Sequence, residues 1–257
     1  MKKVLITSLI SLAFALLLLS CQQNARLVVQ RETSGPYVNS YLVYDSAFRE
    51  AALIDIGGPI DSLLATIDQN KLKIKYVLFT HGHIDHVLGW PALRDHFPEA
   101  KVAIHKLDYD DMQTQLDWIL GNLTPEEIAE WKSDPEVEKM FHFDAAAFGK
   151  PDIFLADNQI IKLGGAKIRA IHAPGHSQGS ICFQMGNYLF SGDVLMRRDV
   201  GRADFQNSSK EDLMRSVRRL YSLFPDSTIV YPGHGRRTDI GSEKIKNPKV
   251  SLDASHL

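Results

Sequence analysis

The sequence predicts an α/β protein built in layers. Strand-like segments come in two runs, one over roughly residues 39–105 and one over roughly 159–231. Helical segments separate and flank these runs, which suggests two sheets with helices outside. Histidines and aspartates collect just past predicted strand ends and beside glycine, where a chain can turn sharply and expose a side chain. Periodicity alone does not choose between this plan and a doubly wound sheet.

The chain opens with Lys2 and Lys3, followed by an apolar stretch, Val4 to Leu19, interrupted by Thr7, Ser8 and Ser11. Leu18-Leu19-Ser20-Cys21 resembles a bacterial lipoprotein processing box, so residues 1–20 are expected to be a signal peptide. The apolar run is short for a membrane span, which needs about 20 residues. The resemblance implies an exported protein anchored to the cell-envelope membrane by acyl chains on Cys21, since one chain alone would hold it only marginally. Residues 21–35 are expected to be a linker with an entry strand, 36–250 one domain, and 251–257 a tail. Cys182 is the other of the two cysteines, so no internal disulfide is expected and stability must come from a core. At 44% hydrophobic residues the chain can build one. A net charge of −2 and the absence of a basic stripe argue against nucleic acid as a partner.

Within the domain, strands are expected at 39–44, 51–56, 74–80 and 101–105, with Gly57-Gly58-Pro59 ending the second. Leu63, Leu64 and Ile67 give 61–69 helical spacing, and 91–97 is expected to be helical too. Later strands are expected at 159–163, 167–172, 180–185, 188–191 and 228–231, with an amphipathic helix over 209–223 capped by Ser209. The stretch from 106 to about 149 breaks the alternation. It is helical in pattern and acidic, and Thr124-Pro125-Glu126-Glu127 is a strong helix start. Trp118, Trp131, Met140 and Phe141 give it apolar surface to pack on its own domain or to wall a site.

The segment His81-Gly82-His83-Ile84-Asp85-His86 follows a predicted strand. On extended chain, side chains at i and i+2 share a side, so His81 and His83 can grip one ion. Asp85 and His86 come a turn later and can hold a second. Imidazole together with carboxylate is the donor set of Zn, Fe and Mn sites. Two ions held by these four residues would lack ligands. Further candidates stand in Pro174-Gly175-His176-Ser177, Ser191-Gly192-Asp193 and Pro232-Gly233-His234-Gly235.

Together these motifs resemble the metallo-β-lactamase-fold hydrolases, and within them the glyoxalase II-like (hydroxyacylglutathione hydrolase-like) branch. The resemblance covers about residues 36–105 and 150–250, and extends to Phe190-Ser191-Gly192-Asp193-Val194-Leu195 and Gly201-Arg202-Ala203-Asp204-Phe205. It implies a four-layer αββα sandwich with metals at one edge between the sheets. It implies that His81, His83 and His176 bind one metal, that Asp85, His86 and His234 bind a second, and that Asp193 bridges them. Two Zn²⁺ ions are the expected cofactors, with Fe or Mn as alternatives. The implied chemistry is attack on a carbonyl by hydroxide from a bridging water whose pKa falls from 15.7 to about 7. Asp85 would also orient that hydroxide, which makes it the candidate catalytic residue.

The branch implies a small-molecule thioester as substrate. Arg202 is the candidate substrate contact, with Arg197 and Arg198 close by; Arg202-Ala203-Asp204 stands where the branch has Lys/Arg-x-Tyr. The residues after His234 show no obvious helix. Gly201-Arg202-x-Asp204-Phe205 also resembles persulfide dioxygenases, which use one iron. Lactone and β-lactam hydrolysis are further alternatives, as is a lipoprotein that binds metal without catalysis. Gly175-His176-Ser177-Gln178-Gly179 matches the serine-hydrolase pattern G-x-S-x-G, but that motif needs a helix after the turn and 180–185 reads as a strand. His96, His105, His142, His172 and His256 are expected to be structural or solvated.

Overall fold

The computed structural model describes residues 27–35 and 37–250. The expected signal peptide, the expected acylation site Cys21, and the tail with His256 lie outside the described residues. Among those described, no helix is long and apolar enough to cross a membrane.

Two six-stranded sheets form, each with its strands in chain order. The first contains β1 (Leu27–Ser34), β2 (Val38–Asp45), β3 (Glu50–Ile54), β4 (Lys73–Leu78), β5 (Lys101–His105) and β6 (Ile153–Leu155). β1 to β3 pair antiparallel and β3 to β6 parallel. The second contains β7 (Ile160–Leu163), β8 (Ala166–His172), β9 (Ile181–Met185), β10 (Tyr188–Gly192), β11 (Ile229–Pro232) and β12 (Thr238–Asp239). There, only β10 and β11 run parallel.

Parallel neighbours need crossovers, and helices supply them. α1 (Asp61–Asn70) joins β3 to β4, and the short α2 (Ile84–Val87) and α3 (Trp90–Leu93) join β4 to β5. α4 (Lys106–Gly121), α5 (Pro125–Ser133) and α6 (Pro135–Glu138) join β5 to β6. α7 (Lys210–Leu223) joins β10 to β11, and α8 (Ile240–Lys246) follows β12.

Period-2 alternation divides the buried side chains among layers. On β2, Tyr41 and Val43 enter the core between the sheets, where Leu78, Ile168, Phe183 and Phe190 meet them. Leu42 and Tyr44 point the other way, into a core beneath the helices with Leu53, Phe79, Leu63 and Trp90. A third core packs Leu213, Val217 and Leu220 of α7 on Ile171, Leu189 and Val230 of the second sheet. Three cores between four layers make the expected αββα sandwich and exclude the doubly wound alternative.

The helical excursion at 106–149 is present and packs on its own domain. Met112, Leu116, Met140 and Phe148 are buried with Phe79 and Trp90, and Trp90 Nε1 donates to the Phe148 carbonyl at 3.2 Å. The expected capping box forms between Thr124 and Glu127. The entry strand expected within 21–35 runs from Leu27 to Ser34 and pairs with β2 over eight positions. Two expectations need correction. The helix expected at 91–97 begins at Trp90 and tightens into a 3₁₀ turn at Arg94–His96. The residues after His234 do contain a helix, α8, but its seven residues are too few to show a periodic face.

Phe79 is fully buried, with its ring 5.0 Å from that of Phe148 and 6.4 Å from that of Trp90. Phe79→Ala is expected to cost about 3–5 kcal/mol, measured by urea denaturation of the purified protein. A loss below about 1 kcal/mol would show that this cluster does not anchor the excursion.

Candidate metal centre

Four strands end at one edge of the sandwich and deliver the predicted residues there. β4 runs into Phe79 and Thr80 and then His81; His83 is the N-cap of α2, with Asp85 and His86 inside that helix. His176 follows β8, Asp193 follows β10, and His234 follows β11. Backbone and side-chain bonds between the sheets close this edge. Ile181 N donates to the Thr80 carbonyl at 2.7 Å, Asn39 N to the Gly233 carbonyl at 2.7 Å, and the Tyr41 hydroxyl to the Pro232 carbonyl at 2.6 Å.

All seven predicted residues meet there. Their donor atoms form three groups within 4.8 Å: His81, His83 and His176; His81, His86 and Asp193; and Asp85, His86 and His234. His81 Nε2 lies 3.2 Å from His176 Nε2, and His234 Nε2 3.1 Å from Asp85 Oδ2. Asp193 stands between the groups, with Oδ1 3.5 Å from His86 Nε2 and Oδ2 3.7 Å from His176 Nε2 and 3.5 Å from His234 Nε2. Ligands about 2.0–2.1 Å from a tetrahedral ion sit roughly 3.3 Å from one another, so these separations suit a metal. The buried His83 Nε2, His86 Nε2 and Asp193 Oδ1 have no hydrogen-bond partner, a costly arrangement unless a cation satisfies them.

The imidazoles are aimed from behind. His86 Nδ1 donates to Asp55 Oδ2 at 2.9 Å, His176 Nδ1 to the Arg202 carbonyl at 2.8 Å, and His234 Nδ1 to the Tyr37 carbonyl at 3.1 Å. Thr80 Oγ1 gives its proton to Asp55 Oδ2, so it accepts from His81 Nδ1 at 3.0 Å. Each bond puts the proton on Nδ1 and leaves Nε2 to face the cluster.

Electrostatics agree. Burial, then the charges of neighbouring histidines, hold His81 and His83 well below the usual imidazole range, so both are neutral donors. Burial opposes ionisation of Asp85, but His86 and His234 outweigh it and hold its carboxyl below the usual range. Burial would also lower His234, yet Asp85 and Asp193 push it up to about 10. The negative field that does so would equally hold a metal cation.

Two residues with a part in the site escaped sequence reasoning. Asp55, at the end of β3, is buried and accepts from Thr80 N, Thr80 Oγ1 and His86 Nδ1. An acid closing the apolar run Ala51–Ile56 was its one sequence signal. Asp108 was visible only as one acid among many in the excursion, yet it is fully buried.

A cavity of about 680 Å³ opens over the cluster. Ile119, Trp131, Val137 and Met140 of the excursion form one wall, and Met196, Val200 and Phe205 face it. The Phe205 ring packs on His83 and carries the Arg202 guanidinium 4.8 Å above it. Arg202 lines the cavity and pairs with Asp204 at 3.0 Å, whereas Arg198 turns away to the buried Glu243. The G-x-S-x-G serine is no nucleophile. Ser177 is buried, its hydroxyl donates to Asp108, and β9 follows it. His105 and His172 stack on each other outside the cluster, their rings 4.5 Å apart.

Asp55→Asn leaves one oxygen to serve three donors and is expected to weaken metal binding about 10–100-fold, read by competition with a chromogenic chelator. Unchanged affinity would show that Asp55 does not orient His86.

Known proteins resemble the chain in sequence and fold. Hydroxyacylglutathione hydrolase GloC of Haemophilus influenzae is 32% identical over 223 residues, covering 82% of this chain and 91% of its own. The crystal structure of TTHA1623 in a di-iron-bound form is 32% identical with a TM-score of 0.65, covering 86% of this chain and 99% of that one. ETHE1 from Myxococcus xanthus is 27% identical with a TM-score of 0.66, covering 87% and 84%. The family model described as the metallo-beta-lactamase superfamily matches residues 34–234. With that match, and a His/Asp cluster built for a divalent metal at the edge of an αββα sandwich, the chain belongs to the metallo-beta-lactamase superfamily.

Proposed function

We propose that this protein hydrolyses a thioester at a two-metal centre, and that it works outside the inner membrane, anchored by lipid on Cys21. The observation that carries the first part is the convergence of seven candidate metal ligands at one edge, five of which (His83, Asp85, His176, Asp193 and His234) line one cavity. His81, His83 and His176 would hold one ion, Asp85, His86 and His234 the other, and Asp193 both. Divalent ions bound there would supply Lewis acidity and would lower the pKa of a water to about 7.

The chain's own residues do the rest. Asp85, held ionised, accepts a hydrogen bond from the attacking water and orients it. The Nδ1 bonds fix the imidazoles of His81, His86, His176 and His234, so little reorganisation is needed during reaction. The apolar walls from the excursion and from Met196, Val200 and Phe205 hold the acyl and thiol portions and exclude bulk water. Arg202, at the cavity rim, suits an anionic group on the substrate. The likeness to a hydroxyacylglutathione hydrolase supports a thioester over a lactone or a β-lactam.

A second reading is oxidation of a persulfide at a single iron. The Gly201-Arg202-x-Asp204-Phe205 motif and the likeness to ETHE1 favour it. Metal analysis of the purified protein and a panel of thioester, lactone, β-lactam and persulfide substrates separate the two. Two metal equivalents with thioesterase activity are expected, the activity lost together with one of those equivalents in His83→Ala. One iron with oxygen uptake on a persulfide would replace the first reading with the second.

The apolar run and the Cys21 box support export. Fractionation of cells producing the full chain is expected to place it in the membrane fraction, with Cys21→Ser released or unprocessed. A wild-type protein that stays soluble with its first twenty residues intact would refute the anchor.

A further inference from the structure

The first turn of α4 sends one carboxylate out of the excursion and into the back of the metal centre. Asp108 is 0% exposed, and none of its hydrogen bonds goes to its own helix. Its Oδ2 accepts from Gly82 N at 2.9 Å and from the Ser177 hydroxyl at 2.6 Å, and its Oδ1 accepts from Gly179 N at 2.6 Å. Gly82 lies between His81 and His83, and Ser177 directly follows His176. One side chain therefore bonds both loops that carry the first group of donors. None of these bonds goes to Asp85, His86 or His234.

The surroundings leave room for this carboxylate and little else. A Cβ on Gly82 would come within 2.7 Å of the Asp108 carbonyl oxygen, and one on Gly179 within 2.5 Å of Asp108 Oδ1. Ser180 extends the network: its hydroxyl accepts from Ser177 N at 3.1 Å and lies 2.7 Å from the Ser177 hydroxyl. Acidic residues in a first helical turn usually serve the helix dipole from the surface. Burial here, with every bond directed at two loops of other elements, needs a different reason.

We propose that Asp108 is a positioning residue that fixes the separation of His81 and His83 from His176, and so sets the metal affinity of that group alone. The assignment rests on the two-group reading of the centre. Asparagine in its place keeps the shape but turns an amide NH₂ toward a backbone N–H, so at least one of the three bonds must be lost.

Backgrounds that each retain one intact group make the test selective. His234→Ala keeps the His81, His83 and His176 group, and His83→Ala keeps the Asp85, His86 and His234 group. Cobalt(II) titration of each, with and without Asp108→Asn, reads affinity and the visible spectrum of the bound ion; thermal melting before cobalt is added reports the fold. Asp108→Asn is expected to weaken cobalt binding about 10–100-fold and to alter the spectrum in the His234→Ala background. Binding in the His83→Ala background is expected to stay within about twofold. Ser177→Ala, which removes one of the three donors and spares the carboxylate, is expected to give a smaller loss in the same background. Equal losses in both backgrounds, together with a lowered melting temperature, would reduce Asp108 to a structural role and overturn the proposal. Unchanged binding in the His234→Ala background would overturn it as well. Failure of both backgrounds to bind cobalt while the parent protein binds it would overturn the two-group reading itself.

Discussion

Holding five imidazoles and two carboxylates within bonding distance of one another is the constraint on which the rest of this structure depends. Buried polar atoms without partners are costly, and His83 Nε2, His86 Nε2 and Asp193 Oδ1 are such atoms. The protein keeps them together with bonds it can make cheaply. Backbone and side-chain links from Thr80 to Ile181, Asn39 to Gly233 and Tyr41 to Pro232 join the two sheets at the edge where β4, β8, β10 and β11 end. The sandwich is a frame for that edge.

Aim is supplied separately from place. Strand ends and the short α2 bring the histidines to the edge, but for His81, His86, His176 and His234 a carbonyl, a hydroxyl or a carboxylate behind the ring decides which nitrogen faces the cluster. Asp55 serves His86 and, through Thr80, His81. Asp108 bonds the loops rather than the rings. The excursion that contributes Asp108 also contributes the cavity wall through Ile119, Trp131, Val137 and Met140. The segment that shapes the substrate space is thus bonded to the ligand loops, although its composition looks like an independent helical insertion.

Much of the site was legible in the sequence, because metal ligation leaves a local signature. His81 and His83 stand two apart on extended chain, and His176, Asp193 and His234 each follow an apolar run beside a glycine. The layered fold followed from the two runs of strands. Less visible were elements whose identity depends on partners. β1 is an edge strand with polar residues and becomes a strand only by pairing with β2. α8 is too short to show a face. Asp55 and Asp108 were missed because their partners lie 25 to 31 and 26 to 71 residues away in the chain, respectively.

By itself, then, the sequence determined which residues can hold metal, because short motifs beside glycine carry them, and its two runs of strands suggested the layers that the resemblance implied. Only the tertiary structure decided how close the donors come, which nitrogen His81, His86, His176 and His234 present and what stands over them. Those depend on distances between loops from different sheets, set by cross-sheet hydrogen bonds and by one buried carboxylate from a distant helix. No local pattern records such distances.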